Sequence, residues 1–416
     1  MDFEQLAVAP VESPAWLRDF QTASRSALVG VPWPDRKTEA WQNTSLRALT
    51  ADSFDTSSGV DGSGDPNEYL IEDLNSTDLV FVDGTYLQDL SDPVPSGVSL
   101  VHLSDANEAE AGMIRSRIGT VVPPTHHFAQ LNGSRLDDGI LLRFRGAVSQ
   151  PVRIVWQSTG TRSLNHRLLV LMEEGSQATL IEHFCGAGEA FTNSVSELDL
   201  ANNSHLYHCR LHLEKETGIH IGGAHARLGS HASFGGFHLG TGGPLKRVDV
   251  TIDHAGAGAT SLLSGAYLLR ASQRIDYHVC AEHSAPQCDS QSTFRGIIAD
   301  KARAVFNGRI HIHRGARKTQ ATLDNKNLLT SDSAQVNTKP ELEIYNDDVS
   351  CAHGATVSQL SGESLHYLRS RGLGTEAAFR LLNFAFINEL LDRAPEPALA
   401  AFLRTKLQSW FDRGGS

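Results

Sequence analysis

The longest regular pattern in the chain begins near Gly139, where short apolar strands alternate with turns for about two hundred residues. Turn-like tetrapeptides recur in this region with their first residues 27 positions apart, at Val148, Gly175, Asn202, Gly229 and Gly256. Gly and Asn best tolerate the left-handed backbone of tight turns. A fixed repeat of strand and turn is typical of a β-helix, because each coil buries its inner face only by stacking on its neighbours. A sandwich or barrel is also compatible with alternating strands, but it does not demand a constant spacing.

Apolar residues occupy every second position of the strands between these turns. The clearest sets are Tyr207, Cys209, Leu211 and Leu213; Val248, Val250 and Ile252; and Ile275, Tyr277 and Val279. Successive side chains on a strand point to opposite faces, so one face of each strand is predicted to be buried. After Cys280 the spacing loosens, but strands continue over 304–313, 334–336 and 342–345. The sequence therefore predicts a mostly β fold with a right-handed β-helix (solenoid) core over residues 136–355.

Residues 1–135 are predicted to form an N-terminal helical domain. Pro14 suits the first turn of a helix whose apolar stripe includes Trp16 and Leu17. Residues 51–67 are polar and rich in Gly, Ser and Asp, which indicates a flexible segment. The other predicted elements of this domain are strands over 79–82 and 98–103 and a helix over 104–118 capped by Ser104 or Asp105.

Residues 356–416 are predicted to form a C-terminal helical domain. Thr375 is the expected cap of a helix with the sequence TEAAFRLLNFAFINELLDRA, and a second helix is expected over 398–411, beyond Pro395 and Pro397. The first helix carries more apolar residues than one stripe needs. Two such helices could cap the end of the solenoid or present a surface to a partner protein.

Composition and charge narrow the classes of function. The chain has 416 residues, of which 40% are hydrophobic and 20% charged, as in a folded globular protein. Its formal net charge of −12 argues against binding to nucleic acid or to an anionic membrane. The first residues lack the basic and then apolar pattern of a signal peptide, and no apolar run reaches membrane-spanning length. A cytoplasmic protein is therefore expected.

The motifs of several enzyme classes are missing from the sequence. There is no GxxxxGK[ST] loop, no GxSxG elbow, no HExxH pair and no dinucleotide-binding fingerprint. The chain is therefore not expected to hydrolyse a nucleotide itself. Its five cysteines are dispersed and form no CxxC pair; they are Cys185, Cys209, Cys280, Cys288 and Cys351. A disulfide framework and a self-contained zinc or ferredoxin-type site are both disfavoured.

Nineteen histidines stand out, and several are placed close together. The notable groups are His208 with His212, His311 with His313, and His278 and His283 on either side of Cys280, with Cys288 nearby. The first two pairs each share a face of a predicted strand. A face of imidazoles can bind a metal ion. Histidines that stack in a solenoid without a ligand are the more common case.

One tripeptide, Cys351-Ala352-His353, combines a soft thiolate with an imidazole at the spacing that places both on one face of a strand. The carboxylates of Asp347 and Asp348 are close in sequence. Such a group could ligate iron or an iron–sulfur cluster, but two ligands do not complete a tetrahedral site. The missing ligands would have to come from another chain.

The C-terminal half of the chain contains six long motifs that resemble those of a known family. They are residues 292–297 (STFRGI), 302–310 (ARAVFNGRI), 325–329 (NKNLL), 338–345 (TKPELEIY), 347–356 (DDVSCAHGAT) and 367–372 (YLRSRG). In order and spacing they resemble the SufB/SufD family of iron–sulfur cluster assembly proteins. A looser match, at residues 128–132 and 138–139, extends the resemblance back through the solenoid.

Two features make the chain more similar to the SufD branch of this family than to the SufB branch. Gly354 follows His353 at a position where the SufB branch usually has Glu. Residues 36–41 followed by Thr44 resemble the SufD amino-terminal motif, although Gln42-Asn43 stands where lysine and tyrosine are common.

The resemblance implies a scaffold subunit that has no catalytic activity of its own. Such a subunit would pair with SufB through the ends of their β-helices, and its C-terminal helices would dock the SufC ATPase, through which ATP would act. The iron–sulfur cluster would be transient and built at the SufB–SufD interface, with no cofactor held stably by this chain alone. His353 would face a SufB cysteine there as a metal ligand, with Cys351 beside it in the same motif. A homodimer is conceivable when the chain is alone.

Two other interpretations remain open at this point. A polysaccharide-acting β-helix enzyme would need a carboxylate or basic cluster along one face, often with calcium, and usually export. The absence of a signal peptide and the reducing-type cysteine usage count against it. The other alternative is the SufB role, with this chain as the principal cluster scaffold or as a homodimer.

Overall fold

The computed structural model describes residues 13–49, 54, 64–136 and 138–412. Most of the predicted flexible segment, residues 51–67, lies outside the described residues. At its end, Pro66–Glu68 form one turn of 3₁₀ helix with Asp65 accepting a hydrogen bond from the Asn67 N–H.

The strands are numbered in chain order. They are β1 (Thr77–Val82), β2 (Thr85–Tyr86), β3 (Val98–His102), β4 (Ile140–Phe144), β5 (Val152–Gln157), β6 (Ser163–Met172), β7 (Gln177–Cys185), β8 (Phe191–Leu200), β9 (His205–His212), β10 (Ile219–Leu228), β11 (Ser233–Thr241), β12 (Leu245–His254), β13 (Thr260–Leu269), β14 (Arg274–His283), β15 (Asp289–Ile298), β16 (Arg303–Ile312), β17 (Thr319–Leu329), β18 (Gln335–Ile344) and β19 (Val349–Ser358). The helices are α1 (Ala15–Ser26), α2 (Glu108–Arg115), α3 (His127–Ser134), α4 (Gly362–Ser370), α5 (Thr375–Leu391) and α6 (Pro397–Asp412).

The strands form two sheets, and each coil of the chain contributes one strand to each sheet. The odd sheet has the order β19-β17-β15-β13-β11-β9-β7-β5-β1-β2, and the even sheet has the order β18-β16-β14-β12-β10-β8-β6-β4-β3. From β4 and β5 onward every pairing is parallel. Neighbours in a sheet are therefore successive coils, and the predicted β-solenoid is confirmed.

The predicted turns all lie along one edge of the solenoid. Each joins a strand of the even sheet to the next strand of the odd sheet, as the turn at Gly175 joins β6 to β7. Gly175 has φ 68° and Asn203 has φ 59°, so the left-handed backbone expected at these corners is present. The loosening of the repeat after Cys280 is also confirmed, since Arg303 pairs with Gln335, 32 positions later.

The apolar side of β9 faces outward from the solenoid. Cys209 and Leu211 do share a face, but they pack against residues of α5 and α6 rather than in the lumen between the two sheets. The opposite face of β9 carries His208, Arg210 and His212, all fully buried. Both faces of this strand are thus buried. The apolar residues that alternate along it form the outer face, which α5 and α6 cover.

The N-terminal helical prediction needs one correction. The helix expected over 104–118 is shorter and is not capped by Ser104 or Asp105. Asn107 is the cap: its side chain accepts hydrogen bonds from the N–H groups of Ala109 and Glu110, and the Glu110 carboxylate accepts one from the Asn107 N–H. This reciprocal capping box fixes the start of α2 at Glu108. The strands predicted in this region are confirmed as β1 and β3, which extend the odd and even sheets.

At the C-terminus, Gly374 rather than Thr375 is the cap of α5. Gly374 has extended backbone (φ −62°, ψ 156°), whereas Thr375 is already the first helical residue. α5 and α6 do not cap the end of the solenoid but lie along the outer face of the odd sheet. Ile387 and Leu403 are fully buried there, in one cluster with residues of strands from β7 to β17.

The last coil leaves one end of the solenoid open. β18 pairs with β16 and β19 pairs with β17, and both strands stand last in their sheets. No helix among the described residues is both long and apolar enough to cross a membrane.

Candidate functional site

Cys351 and His353 lie in β19, at the open end. Cys351 pairs in register with Ala321 of β17, and His353 pairs with Leu323, two residues that belong to the core between the sheets. Both therefore occupy the face of β19 that continues the lumen. Cys351 is half-buried against that core, and burial raises the pKa of its thiol. His353 is exposed.

The edge that contains this pair also exposes apolar side chains. Leu342, Ile344, Tyr345 and Val357, on or beside the two last strands, are between 36% and 58% exposed. In closed coils a following strand covers the equivalent edge. The open end therefore combines unpaired strand edges, apolar surface, a thiol and an imidazole.

Asp347 and Asp348 are exposed in the turn between β18 and β19. The Asp348 N–H donates to Asn346 Oδ1 at 3.0 Å, which shapes the turn. Among the described residues, two groups of three His, Cys, Asp or Glu side chains bring their ligating atoms within 4.8 Å of one another, and neither group contains Cys351 or His353. The described part of the chain thus places no third and fourth ligand beside the predicted pair.

The lumen contains a different kind of polar cluster, centred on Glu182 of β7. Its carboxylate accepts hydrogen bonds from His208 Nε2 at 2.9 Å and from Ser196 Oγ at 2.8 Å, and Arg210 Nε is 3.5 Å away. Burial raises the pKa of Glu182, but Arg210 and His208 outweigh it and bring the pKa down to about 2. The carboxylate is therefore held ionised in the interior by its partners.

A second lumen cluster is one of the two groups with metal-ligand spacing, formed by His212, Glu214 and His220. His220 Nδ1 lies 2.5 Å from Glu214 Oε1, and Lys246 Nζ donates to Glu214 Oε2 at 2.7 Å. Lys246 is fully buried and already neutralises this carboxylate. An incoming cation would meet that fixed positive charge, so the cluster is better suited to holding two sheets together than to binding a metal ion.

The predicted pairing of His208 and His212 on one face is confirmed, but both point into the lumen. Neither ring nitrogen of His212 or of His238, on the neighbouring strand, has a hydrogen-bond partner among the described residues. Burial lowers the pKa of both rings well below the usual histidine value. They are neutral packing residues of the interior.

The structure separates the residues that cluster in sequence around Cys280. His283 is buried and stacks on His254, with ring centroids 4.2 Å apart. The Cys288 thiol donates to the Gly256 carbonyl at 3.3 Å in a turn. His278 and Cys280 instead line a cleft of about 520 Å³ on the outer face of the even sheet. The four residues do not form a single site.

His311 and His313 are brought together, as their spacing predicts, with ring centroids 4.2 Å apart. A third group that sequence reasoning missed joins them. Glu282 Oε2 lies 2.7 Å from His311 Nδ1 and 3.1 Å from His313 Nε2, and the three form the second group with metal-ligand spacing. Glu282 and His311 are register partners on β14 and β16. This contact could have been predicted only from the number of residues in the coil that separates the two strands. An error of one residue in that number would place Glu282 opposite a different residue of β16.

Comparisons with known proteins agree with the fold and the motifs. The family described as SUF system FeS cluster assembly, SufBD core domain, matches residues 155–386. The chain is 31% identical to the iron–sulfur cluster assembly protein SufD of Escherichia coli over 373 residues, which are 88% of this chain and 86% of that protein. It is 27% identical to an iron–sulfur cluster assembly SufBD family protein of Synechocystis, over 96% of this chain and 92% of the relative. It is also 28% identical to the chloroplastic protein ABCI7 of Arabidopsis thaliana, over 91% and 83% of the two chains.

Proposed function

Because this chain belongs to the SufBD family of the SUF iron–sulfur cluster assembly system, and is SufD-like, we propose that it is a scaffold subunit without catalytic activity. In this role it pairs with SufB and binds the SufC ATPase, so that a cluster is built where the two scaffolds meet. The observation that carries the proposal is the open last coil, which combines unpaired strand edges with His353 and Cys351.

The pairing with SufB would use β18 and β19. A strand edge without a neighbour can pair with a strand of another chain, which continues the sheet. Exposed apolar residues beside the edge add apolar surface that is buried on binding. Leu342, Ile344 and Val357 supply such residues here. If SufB is absent, the same edge provides a route to a homodimer.

The cluster site would be shared between two chains. His353 is exposed and lies on the face of β19 that continues the lumen, so a coil added from SufB would bring its own residues opposite this imidazole. Cys351, two residues earlier, would be a nearby thiol of the same motif. The iron–sulfur cluster is then a transient cargo rather than a resident cofactor of this chain.

The C-terminal helices would bind SufC, and ATP would act through that subunit. α5 and α6 bury one side against the odd sheet, yet Leu381 of α5 is still 46% exposed and Tyr367 of α4 is 57% exposed. These apolar side chains offer a docking surface on the side of the helices away from the sheet. We place this assembly in the cytoplasm, with neither nucleic acid nor membrane as a partner.

The test is anaerobic co-purification of the tagged chain with SufB and SufC, followed by cluster reconstitution. Three forms are compared: wild type, His353→Ala, and His205→Ala as a control at an exposed histidine of β9. All three should yield the ternary complex. Wild type and His205→Ala should gain iron–sulfur absorption, and His353→Ala should lose most of it.

Two results would contradict the proposal. Failure of the wild-type chain to retain SufB and SufC would exclude the scaffold role. Equal reconstitution of His353→Ala and wild type would remove His353 from the cluster site while leaving the scaffold role intact.

A further inference from the structure

We propose that Glu282, His311 and His313 form a binding site for a divalent transition-metal ion of the zinc or ferrous type, on the outer face of the even sheet. The site is separate from the open end, because its residues belong to β14, β16 and the turn after β16, whereas Cys351 and His353 lie on β19 of the other sheet.

Two of the three separations between the donor atoms match a metal coordination sphere, and the third, between the two imidazole nitrogens, is within 4.8 Å. Zinc binds imidazole nitrogen and carboxylate oxygen at about 2.0–2.2 Å, so neighbouring ligand atoms lie roughly 3 Å apart. Glu282 Oε2 is 2.7 Å from His311 Nδ1 and 3.1 Å from His313 Nε2. Two imidazoles and one carboxylate form a ligand set that suits zinc and ferrous iron and leaves positions open.

The second carboxylate oxygen of Glu282 is held away from the imidazoles. Arg309 donates to Glu282 Oε1 at 2.8 Å, and the Cys280 thiol donates to the same oxygen at 3.3 Å. Arg309 also donates to Cys280 Sγ at 3.3 Å, which fixes the thiol in turn. These contacts leave Oε2 directed at the two rings as a single, oriented ligand atom.

The far nitrogen of one imidazole faces a further carboxylate. His311 Nε2 lies 3.8 Å from Glu343 Oε2, and the two residues are register partners on β16 and β18. A metal-ligating histidine usually turns its other N–H toward a carboxylate, which orients the ring and makes the coordinating nitrogen more basic. Tyr345 packs edge-on against the same ring, with centroids 5.6 Å apart.

An ion can reach this cluster from solvent. The side chains of Glu282 and His311 are each 18% exposed and that of His313 is 46% exposed. The lumen cluster of His212, Glu214 and His220 differs on this point, since it is buried. Arg309 pairs with Glu282 much as Lys246 pairs with Glu214, but Glu343, 3.4 Å from Arg309 Nη1, adds a second carboxylate to the outer cluster. Of the two clusters with metal-ligand spacing, the outer one is therefore the candidate for a metal ion.

The experiment is equilibrium dialysis of the purified full-length chain against Zn²⁺, with Co²⁺ absorption as a spectroscopic check. The variants are Glu282→Gln and His311→Gln, with His205→Gln as the matched control and the double variant Cys351→Ser/His353→Ala to remove the open-end ligands. We expect one bound Zn²⁺ that survives in the control and in the double variant. Glu282→Gln and His311→Gln should each weaken its binding by tenfold or more.

A Glu343→Gln variant tests the orienting carboxylate, and its affinity for Zn²⁺ should fall by about tenfold. Circular dichroism of every variant establishes that the solenoid is folded. The proposal is overturned if wild type binds no Zn²⁺, or if Glu282→Gln and His311→Gln bind it as wild type does. Loss of Zn²⁺ only in the double variant would also overturn it and would locate the bound ion at the open end.

Discussion

The closed coils of the solenoid and its open last coil use the same residue types for different purposes. In the closed coils, His208, Glu182 and Arg210 are fully buried; His208 donates a hydrogen bond to Glu182, and Arg210 Nε lies 3.5 Å from the same carboxylate. In the last coil, His353 is exposed and Cys351 is half-buried, because no further coil covers them within the part of the chain that the structure describes. A histidine or cysteine on the lumen face is thus buried in the core when another coil follows it. When no coil follows, the same residue type is accessible to a ligand or a partner.

The largest expected effect comes from breaking the lumen cluster. Glu182→Ala leaves the buried charge of Arg210 without its carboxylate, which should lower the free energy of unfolding by about 3–5 kcal/mol. Equilibrium urea unfolding measures this change. The control Glu189→Ala removes an exposed carboxylate that pairs with Lys215 at 2.9 Å, and should cost less than about 1 kcal/mol. Equal costs for the two variants would refute the structural role of the lumen cluster.

Acid should destabilise the closed coils of the solenoid. Burial lowers the pKa of His166 and His183 to about 3, and lowers that of His212 and His238 well below the usual value. Below the unfolded pKa of about 6.5 the unfolded chain binds protons that the native chain does not. Stability should therefore fall as the pH drops below about 6.5, by about 1.4 kcal/mol per pH unit for each fully buried neutral histidine.

Urea midpoints measured from pH 7.5 to pH 5 test this pH dependence. Replacing His238 with Gln should reduce the slope by about one proton. A stability that is flat across this interval would show that the buried histidines are protonated in the native protein or accessible to water.

A charge at the open end should act on association rather than on folding. Val357 is 46% exposed, so Val357→Lys should change the free energy of unfolding by only about 0.5 kcal/mol, while placing a charge in the proposed SufB contact. We expect at least a tenfold weaker affinity for SufB in a titration. Leu262→Lys is the control, because Leu262 is similarly exposed, at 42%, on β13 of a closed coil. If both variants bind SufB as wild type does, the contact lies elsewhere.

The smallest effect concerns thiol reactivity in the native chain. All five cysteines are free, but Cys185, Cys209 and Cys288 are buried, and burial raises the pKa of Cys280 to about 12. Cys351 should therefore react first with a thiol reagent at pH 8, ahead of both Cys280 and the three buried thiols. Mass spectrometry of the labelled peptides gives the order, and Cys351→Ser should remove the fastest phase. If Cys209 were labelled before Cys351, the proposed difference between the closed coils and the open coil would be contradicted.

The repeat and the corner residues were enough to predict the solenoid, because turn chemistry and a constant spacing are local properties. It was harder to predict which face of a strand points into the lumen and which points outward. The apolar alternation of β9 was produced by contacts with α5 and α6, more than 160 positions away in the chain, so its polar side belonged to the lumen. The pairing of His311 with His313 could be read from strand alternation. Their contact with Glu282 depends on a coil of 29 residues, after the 27-residue repeat has already changed.

The most direct test of the comparison between open and closed coils is amide hydrogen exchange of the chain, with and without SufB. We expect the strand amides of β18 and β19 to exchange fastest in the free chain and to gain at least tenfold protection when SufB binds. The amides of β8 to β13 should be slow in both states. Protection that appears on other strands, or no change at β18 and β19, would contradict the claim that the open coil is where this subunit meets its partner.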